Sequence, residues 1–502
     1  MNEKFSTVSE VHSDHGATVS SSASCDFDAI REASVEDGIT SPEHKIPTNE
    51  KGSASRASED LRRTATNVLA QVASRITTKS WAEPPPPPDG GLKAWTQVGM
   101  GFFVLFTTWG YANSFGAYQA YYSQTLSETP STISWIGGIQ VLLTLVTGLL
   151  TGRLLDAGFF MPLFFVGIVT QVLGIFLMSI STQYWQLFLT QGVLSGFGAG
   201  IYFTPAVSLV STYFDKRRGL AVGLATTGNS AGGIVYPLIV RELIPKLGFA
   251  WTTRVIGFLN LGLLSIAFTF MRPRLPPRKS GPLVELGAFK DFRFAGFLFS
   301  SFFIYWANYY TFYYVSGAPV VKYSGLGLTD ELQIASYGTQ SLSLPYSSAS
   351  TLVVIINGVG LPFRILVPIV ADRIGNFNVI IPVLLIWSIV SFTWLAVHDI
   401  AGYYAFTVVY GIVAASFQCL FPSTIARITP RLNTLGTRLG MGFSVSAISS
   451  LTGPPIGGAI QTASGGEFRA PQIWAATVML LAFLMLTSVR LYMGRLNLKG
   501  YY

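Results

Sequence analysis

Apolar and polar residues in this chain separate into long segments. After a polar stretch reaching about residue 92, apolar runs of roughly 18 to 25 residues recur, each long enough to cross about 30 Å of hydrocarbon as a helix. Their approximate spans are 95–118, 133–152, 160–180, 185–210, 219–240 and 252–271, then 294–316, 347–370, 377–397, 402–427, 438–460 and 471–493. The gap from Arg272 to Arg293 holds Pro273, Pro276, Pro277 and several basic residues, and it divides the runs six and six. The pattern predicts an all-α integral membrane protein with twelve transmembrane helices in two six-helix bundles. Those bundles are 93–271 and 294–493, joined by a linker, 272–293; 1–92 and 494–502 form the terminal segments.

Composition agrees. Half of the 502 residues are hydrophobic and only 12% are charged, against about 25% in an ordinary soluble domain. Fifty glycines and 36 phenylalanines suit helices that pack closely on small residues and face lipid with large ones. The net charge of +8 lies in short loops, so it does not describe a nucleic-acid surface. Cys25 and Cys419 are the only cysteines; neither a disulfide framework nor a metal cluster is expected, and no cofactor is implied.

The first 79 residues, rich in Ser, Thr, Ala, Glu and Asp, cannot bury enough apolar surface to order themselves and read as disordered. Pro84 to Pro88 then form a stiff spacer. The basic stretch Arg62–Lys79 reads as solvated tail before it reads as a contact with anionic lipid. No apolar signal segment lies within residues 1–50, so the first run is expected to direct insertion.

Loop charge sets an orientation. Arg153, Lys216, Arg217, Arg218, Arg272, Arg274, Arg278 and Lys279 fall on one side, with Arg373, Arg427, Arg431, Arg438, Arg490 and Arg495. Arg241, Lys246, Lys322 and Arg469 fall on the other. Both termini are therefore expected in the cytoplasm. The inner turns also repeat: Gly152-Arg153-Leu154-Leu155-Asp156-Ala157-Gly158 follows the second run, and Ala371-Asp372-Arg373-Ile374-Gly375 follows the eighth. An acidic residue at such a turn can cap a helix and bridge to a neighbour, which marks Asp156, Asp372 and Arg373 as candidates for gating.

Two further segments carry a family likeness. Pro88-Asp89-Gly90-Gly91-Leu92-Lys93-Ala94-Trp95 opens the first run, where Asp89 and Gly90 suit a turn and a helix cap. Tyr213-Phe214-Asp215-Lys216-Arg217-Arg218-Gly219-Leu220-Ala221-Val222-Gly223-Leu224-Ala225, followed by Thr226-Thr227-Gly228-Asn229-Ser230, leads into the fifth. Lys216, Arg217 and Arg218 would hold that turn at the membrane surface, while Gly219, Gly223, Gly228, Gly232 and Gly233 leave the fifth helix smooth, either to tilt against neighbours or to pack statically and closely. Together these segments resemble the two signatures of the monocarboxylate porter family of the major facilitator superfamily, in its fungal branch. The likeness covers about four fifths of the chain and implies the major facilitator fold and alternating access.

Charge inside the runs is scarce: Arg254 stands near the outer end of the sixth and Arg364 lies in the eighth. An arginine in a bilayer costs roughly 2.5–3.5 kcal/mol, so it is normally functional or paired. Arg364 could face a central cavity and meet an anionic or carbonyl-rich cargo; the alternative is snorkelling toward the inner surface, where Asp372 lies about 12 Å further along. Arg254 reads as interfacial. The resemblance implies that Arg364 matches a substrate-carboxylate ligand. Gly360 stands where the family's animal members have an aspartate, and Asn113 where they have a lysine; a lactate-type mechanism loses both groups. No carboxylate lies deep in the helices, which leaves uniport or coupling through the cargo's own protonation.

The other candidates for cargo contact are Asn113, Tyr202, Asn308, Tyr309, Asn357 and Gln418, with Tyr118 and Asn229 behind them. Each could instead make an interhelical hydrogen bond worth about 0.6 kcal/mol. The cluster Tyr305-Trp306-Ala307-Asn308-Tyr309-Tyr310 suits either a wall that stacks a large organic molecule or an interfacial aromatic belt. Gly228-Asn229-Ser230-Ala231-Gly232 is not a hydrolase elbow and Gly196-Phe197-Gly198-Ala199-Gly200 is not a dinucleotide loop, because both lie within membrane helices.

The expected function is that of a cell-membrane porter of a small organic solute, leaning to efflux of a fungal secondary metabolite. Uptake of a monocarboxylate or of a vitamin such as riboflavin is the alternative, and a non-transporting receptor is a second. A membrane enzyme would need clustered His, Cys, Asp or Glu, which the runs lack. Lipid and the solute are the expected partners, the proton is a candidate co-substrate, and the chain is expected to act as a monomer.

Overall fold

The computed structural model describes residues 86–128, 130–275, 282–316 and 346–494. The expectations for the tail before residue 86, for part of the linker and for the C-terminal end lie outside these residues.

Among the described residues, twelve membrane-length helical passes follow one another. The first, α1, covers 92–125 as Leu92–Leu105, a π-helical turn Phe106–Gly110, Tyr111–Asn113 and Phe115–Thr125. Then come α2 (Pro130–Asp156), α3 (Phe160–Met178) and α4 (Tyr184–Thr212). The stretch Arg218–Phe270 is continuous in hydrogen bonding but turns at Gly248, whose φ of 75° favours glycine. It is two membrane passes, α5 (218–247) and α6 (249–270). The second half holds α7 (Phe292–Ser316), α8 (Tyr346–Ile374), α9 (Asn376–Ala396), α10 (Ile400–Ile428), α11 (Leu435–Ala463) and α12 (Arg469–Gly494).

Helix is the form these segments require, because lipid offers no partner to a backbone N–H or C=O. Eight helical stretches of the described residues are long and apolar enough to span a membrane, and Arg218–Phe270 is one of them. The passes outside that set are α1, which breaks at Ser114 and mixes Gln, Thr, Gly and Asn among its apolar residues, and α7 and α11. These two trade aliphatic side chains for aromatics and for Gly, Ser and Thr. Most helix ends run a few residues beyond the apolar runs, since polar first and last turns reach past the hydrocarbon; α3, α6 and α9 stop one or two residues short of theirs.

The passes form two six-helix bundles that meet along α2 with α11 and α5 with α8. Small residues allow close approach there. A Cβ added at Gly152 of α2 would strike the Gly436 carbonyl of α11, and one at Gly440 would strike the Gly148 carbonyl. The α5 glycines divide their faces: Gly223 lies against Pro368 and the Arg364 carbonyl of α8, Gly228 and Gly232 against α1, and Gly233 against the Asn357 side chain.

Candidate functional site

Two features stand at the boundary between the bundles: a cavity at mid-depth, and closure at the end that carries the basic loops. About 960 Å³ of non-atom space, open solvent included, lies between the walls of the cavity. Helical periodicity explains its lining. Leu105, Trp109 and Asn113 recur every fourth residue on α1; Tyr305, Asn308, Tyr309 and Phe312 share one face of α7; Tyr410, Ala414, Gln418 and Pro422 share one face of α10. Phe203, Asn229, Asn357 and Phe443 complete the walls from α4, α5, α8 and α11.

Arg364 is the one charged side chain among these lining residues. It is 4% exposed. Its carbonyl sits against Gly223, yet its Nε donates to Ser230 Oγ at 2.9 Å, two turns further along α5. The side chain therefore rises toward the cavity, away from Asp372, as expected for a helical side chain tilted toward its own N-terminus. Nη2 donates to Gln418 Oε1 at 2.8 Å. Nη1 has no partner among the described residues.

The carboxamides are partly engaged. Asn113 Nδ2 donates to Asn229 Oδ1 at 2.9 Å, Asn357 Nδ2 to the Val353 carbonyl at 2.9 Å, and the Tyr410 hydroxyl to Asn308 Oδ1 at 2.8 Å. Each leaves one end of an amide open to the cavity. Six of the seven candidates for cargo contact thus converge: Arg364, Asn113, Asn308, Tyr309, Asn357 and Gln418. Tyr202 stands elsewhere. Its hydroxyl donates to Gln171 Oε1 and accepts from Thr108 Oγ1, tying α4 to α3 and α1.

The α7 aromatic cluster divides by helix face. Tyr305 and Tyr309 line the cavity, whereas Trp306 and Tyr310 pack edge-on against Trp474 of α12, at 5.2 and 5.6 Å between ring centroids. Arg254 lies over the Trp251 ring and donates to Ser179 Oγ. Trp109, Phe203, Tyr410 and Phe443 were not foreseen; reading every fourth residue from Asn113 and Gln418 would have found two of them.

Closure at the basic end rests on carboxylates that accept from peptide N–H groups of the opposite bundle. Asp156, ending α2, accepts from Gly436 N at 3.0 Å and from Thr437 N at 2.8 Å, with Thr437 Oγ1 as a third donor at 2.6 Å. Asp372, near the end of α8, accepts from Gly219 N and Leu220 N at 2.8 Å each, and Arg427 pairs with it at 3.1 Å. Negative charge at a helix N-terminus is favourable. Arg218 donates to the Ala426 carbonyl of α10 and pairs with Asp215. Lys216, Arg217 and Arg373 are exposed.

Asp89 accepts from Asp215 N and from Lys216 N, the latter at 2.9 Å, so the segment before α1 caps the turn before α5. Gly90 has open space around it. The two signature segments are therefore one assembly.

The family model described as Major Facilitator Superfamily matches residues 100–381. The chain belongs to the Major Facilitator Superfamily. It is a multi-pass membrane transporter of small solutes. An MFS-type transporter of Gibberella zeae is 40% identical over 406 residues, spanning 81% of this chain and 88% of that relative. The aspyridones efflux protein of Emericella nidulans is 33% identical over 422 residues, spanning 82% of each. Among solved structures, that of a human organic anion transporter matches with a TM-score of 0.62 at 14% identity, covering 78% of this chain and 99% of that one. FucP in its outward conformation matches with a TM-score of 0.58 at 14% identity, covering 79% and 98%. These two likenesses establish the superfamily fold.

Proposed function

We propose that this transporter exports an aromatic, anionic or carbonyl-rich metabolite across the fungal cell membrane. Arg364 carries the reading: a buried guanidinium held by two neutral acceptors, with Nη1 left for a ligand, inside a cavity walled by Trp109, Phe203, Tyr305, Tyr309, Phe312 and Phe443. An arginine can take a carboxylate or an enolate through paired N–H bonds, and the rings can stack a planar body. The name of the Emericella nidulans relative supports efflux. The two signature segments, joined through Asp89, support a place in the monocarboxylate porter-like branch.

Loop charge supports a cytoplasmic basic end with both termini there. With that end closed, the cavity faces outward, and rocking of the bundles about it would open the cytoplasmic side. The chain holds a whole pathway between its own bundles, in keeping with a monomer. Any proton that accompanies the cargo would ride on the cargo.

Metabolite profiling of a deletion strain, restored with the parent gene or with Arg364→Gln, tests this. The parent should return the missing extracellular compound and the variant should not; equal recovery by the variant defeats the assignment.

A further inference from the structure

We propose that the membrane potential alone drives this carrier, with Arg364 as the charge on which the field acts. The proposal rests on the reading of Arg364 as the anion site. Its guanidinium is solvated but not neutralised, because Ser230 and Gln418 are neutral acceptors. The carboxylates nearest along the bundle boundary are committed elsewhere: Asp372 to Gly219 N, Leu220 N and Arg427, Asp156 to Gly436 N and Thr437. Glu242 sits at the opposite end beside Arg241 and Lys246, half exposed. His398, the only histidine after His44, lies in the connection between α9 and α10. Among the described residues, neither a carboxylate nor an imidazole lines the cavity to carry a proton.

The charge ledger then follows. The empty cavity holds one positive charge, and a bound monoanion brings it to zero. The loaded carrier reorients as a neutral body; the empty carrier returns with its positive charge. An inside-negative potential favours that return toward the cytoplasm and so drives net export. At equilibrium a potential of about 100 mV supports roughly a fifty-fold gradient of a monoanion.

Purified protein in liposomes, with potassium gradients and valinomycin setting the potential, provides the test. Two radiolabelled probes are used, naphthalene-2-carboxylate and naphthalene-2-sulfonate; the sulfonate stays ionised at any usable pH and cannot move as an acid. Both should accumulate toward the positive side, changing by about fifty-fold per 100 mV at steady state. After subtraction of movement in protein-free liposomes, neither should respond to a pH gradient at zero potential, and one-for-one exchange should ignore the potential. Protein-dependent movement of the carboxylate on a pH gradient while the sulfonate stays still would overturn the proposal and leave the anion site standing, as would protein-dependent flux of both that ignores potential. Failure of both probes to move, or equal movement in Arg364→Gln, would defeat the anion site itself.

Discussion

The Asp372 carboxylate receives the N–H groups of both Gly219 and Leu220 at 2.8 Å, and so completes the first turn of a helix that belongs to the other bundle. Asp156 does the same for Gly436 and Thr437. Hydrogen bonds to a charged group contribute about 1.5–3 kcal/mol each. Asp372→Asn and Asp156→Asn should therefore raise the population open at the basic end by at least about tenfold. Spin labels on the exposed Lys216 and Arg373 positions, read as distance distributions, would report it.

Substitutions at Arg364 should separate charge from geometry. Arg364→Lys keeps the charge but loses the planar fork, and Arg364→Gln loses both. Cargo flux should fall by about tenfold for lysine and about a hundredfold for glutamine, in line with the worth of a charge-assisted hydrogen bond. Initial rates in vesicles check the order.

Tyr202→Phe supplies a contrast. Removing the hydroxyl leaves the Gln171 oxygen buried without its donor, at about 1–3 kcal/mol. Thermal unfolding in detergent should shift downward, while flux per folded molecule should match the parent.

Glycine at the bundle boundary should be intolerant of size. Gly440→Val would press a side chain into the Gly148 carbonyl and hold the basic end apart, so transport should fall by more than about tenfold. Gly262→Ala, with open space around it, should transport normally. The two variants, compared at equal expression, check the point.

Much of this was legible in the chain. The twelve runs located the passes because hydrocarbon thickness dictates length. The lone Arg364 located the cavity because charge in lipid needs a reason. The paired inner turns named Asp156 and Asp372 but not their partners. Those partners are peptide N–H groups at Gly219, Leu220, Gly436 and Thr437, and a peptide donor has no signature in residue type. Tyr202 could not be told from a cargo contact, since a buried hydroxyl reads the same way in either role. Trp109 and Phe443 went unseen because an aromatic facing a cavity resembles one facing lipid.

The meeting of Gly148 and Gly152 with Gly436 and Gly440 bears on the energetics of the whole cycle. Separating two surfaces costs free energy in proportion to the hydrocarbon uncovered, and bare peptide planes uncover little. Where the peptide planes meet, little hydrocarbon is exposed on parting, so the resistance to opening is concentrated in the Asp156 bonds to Gly436 and Thr437 rather than spread along the helices.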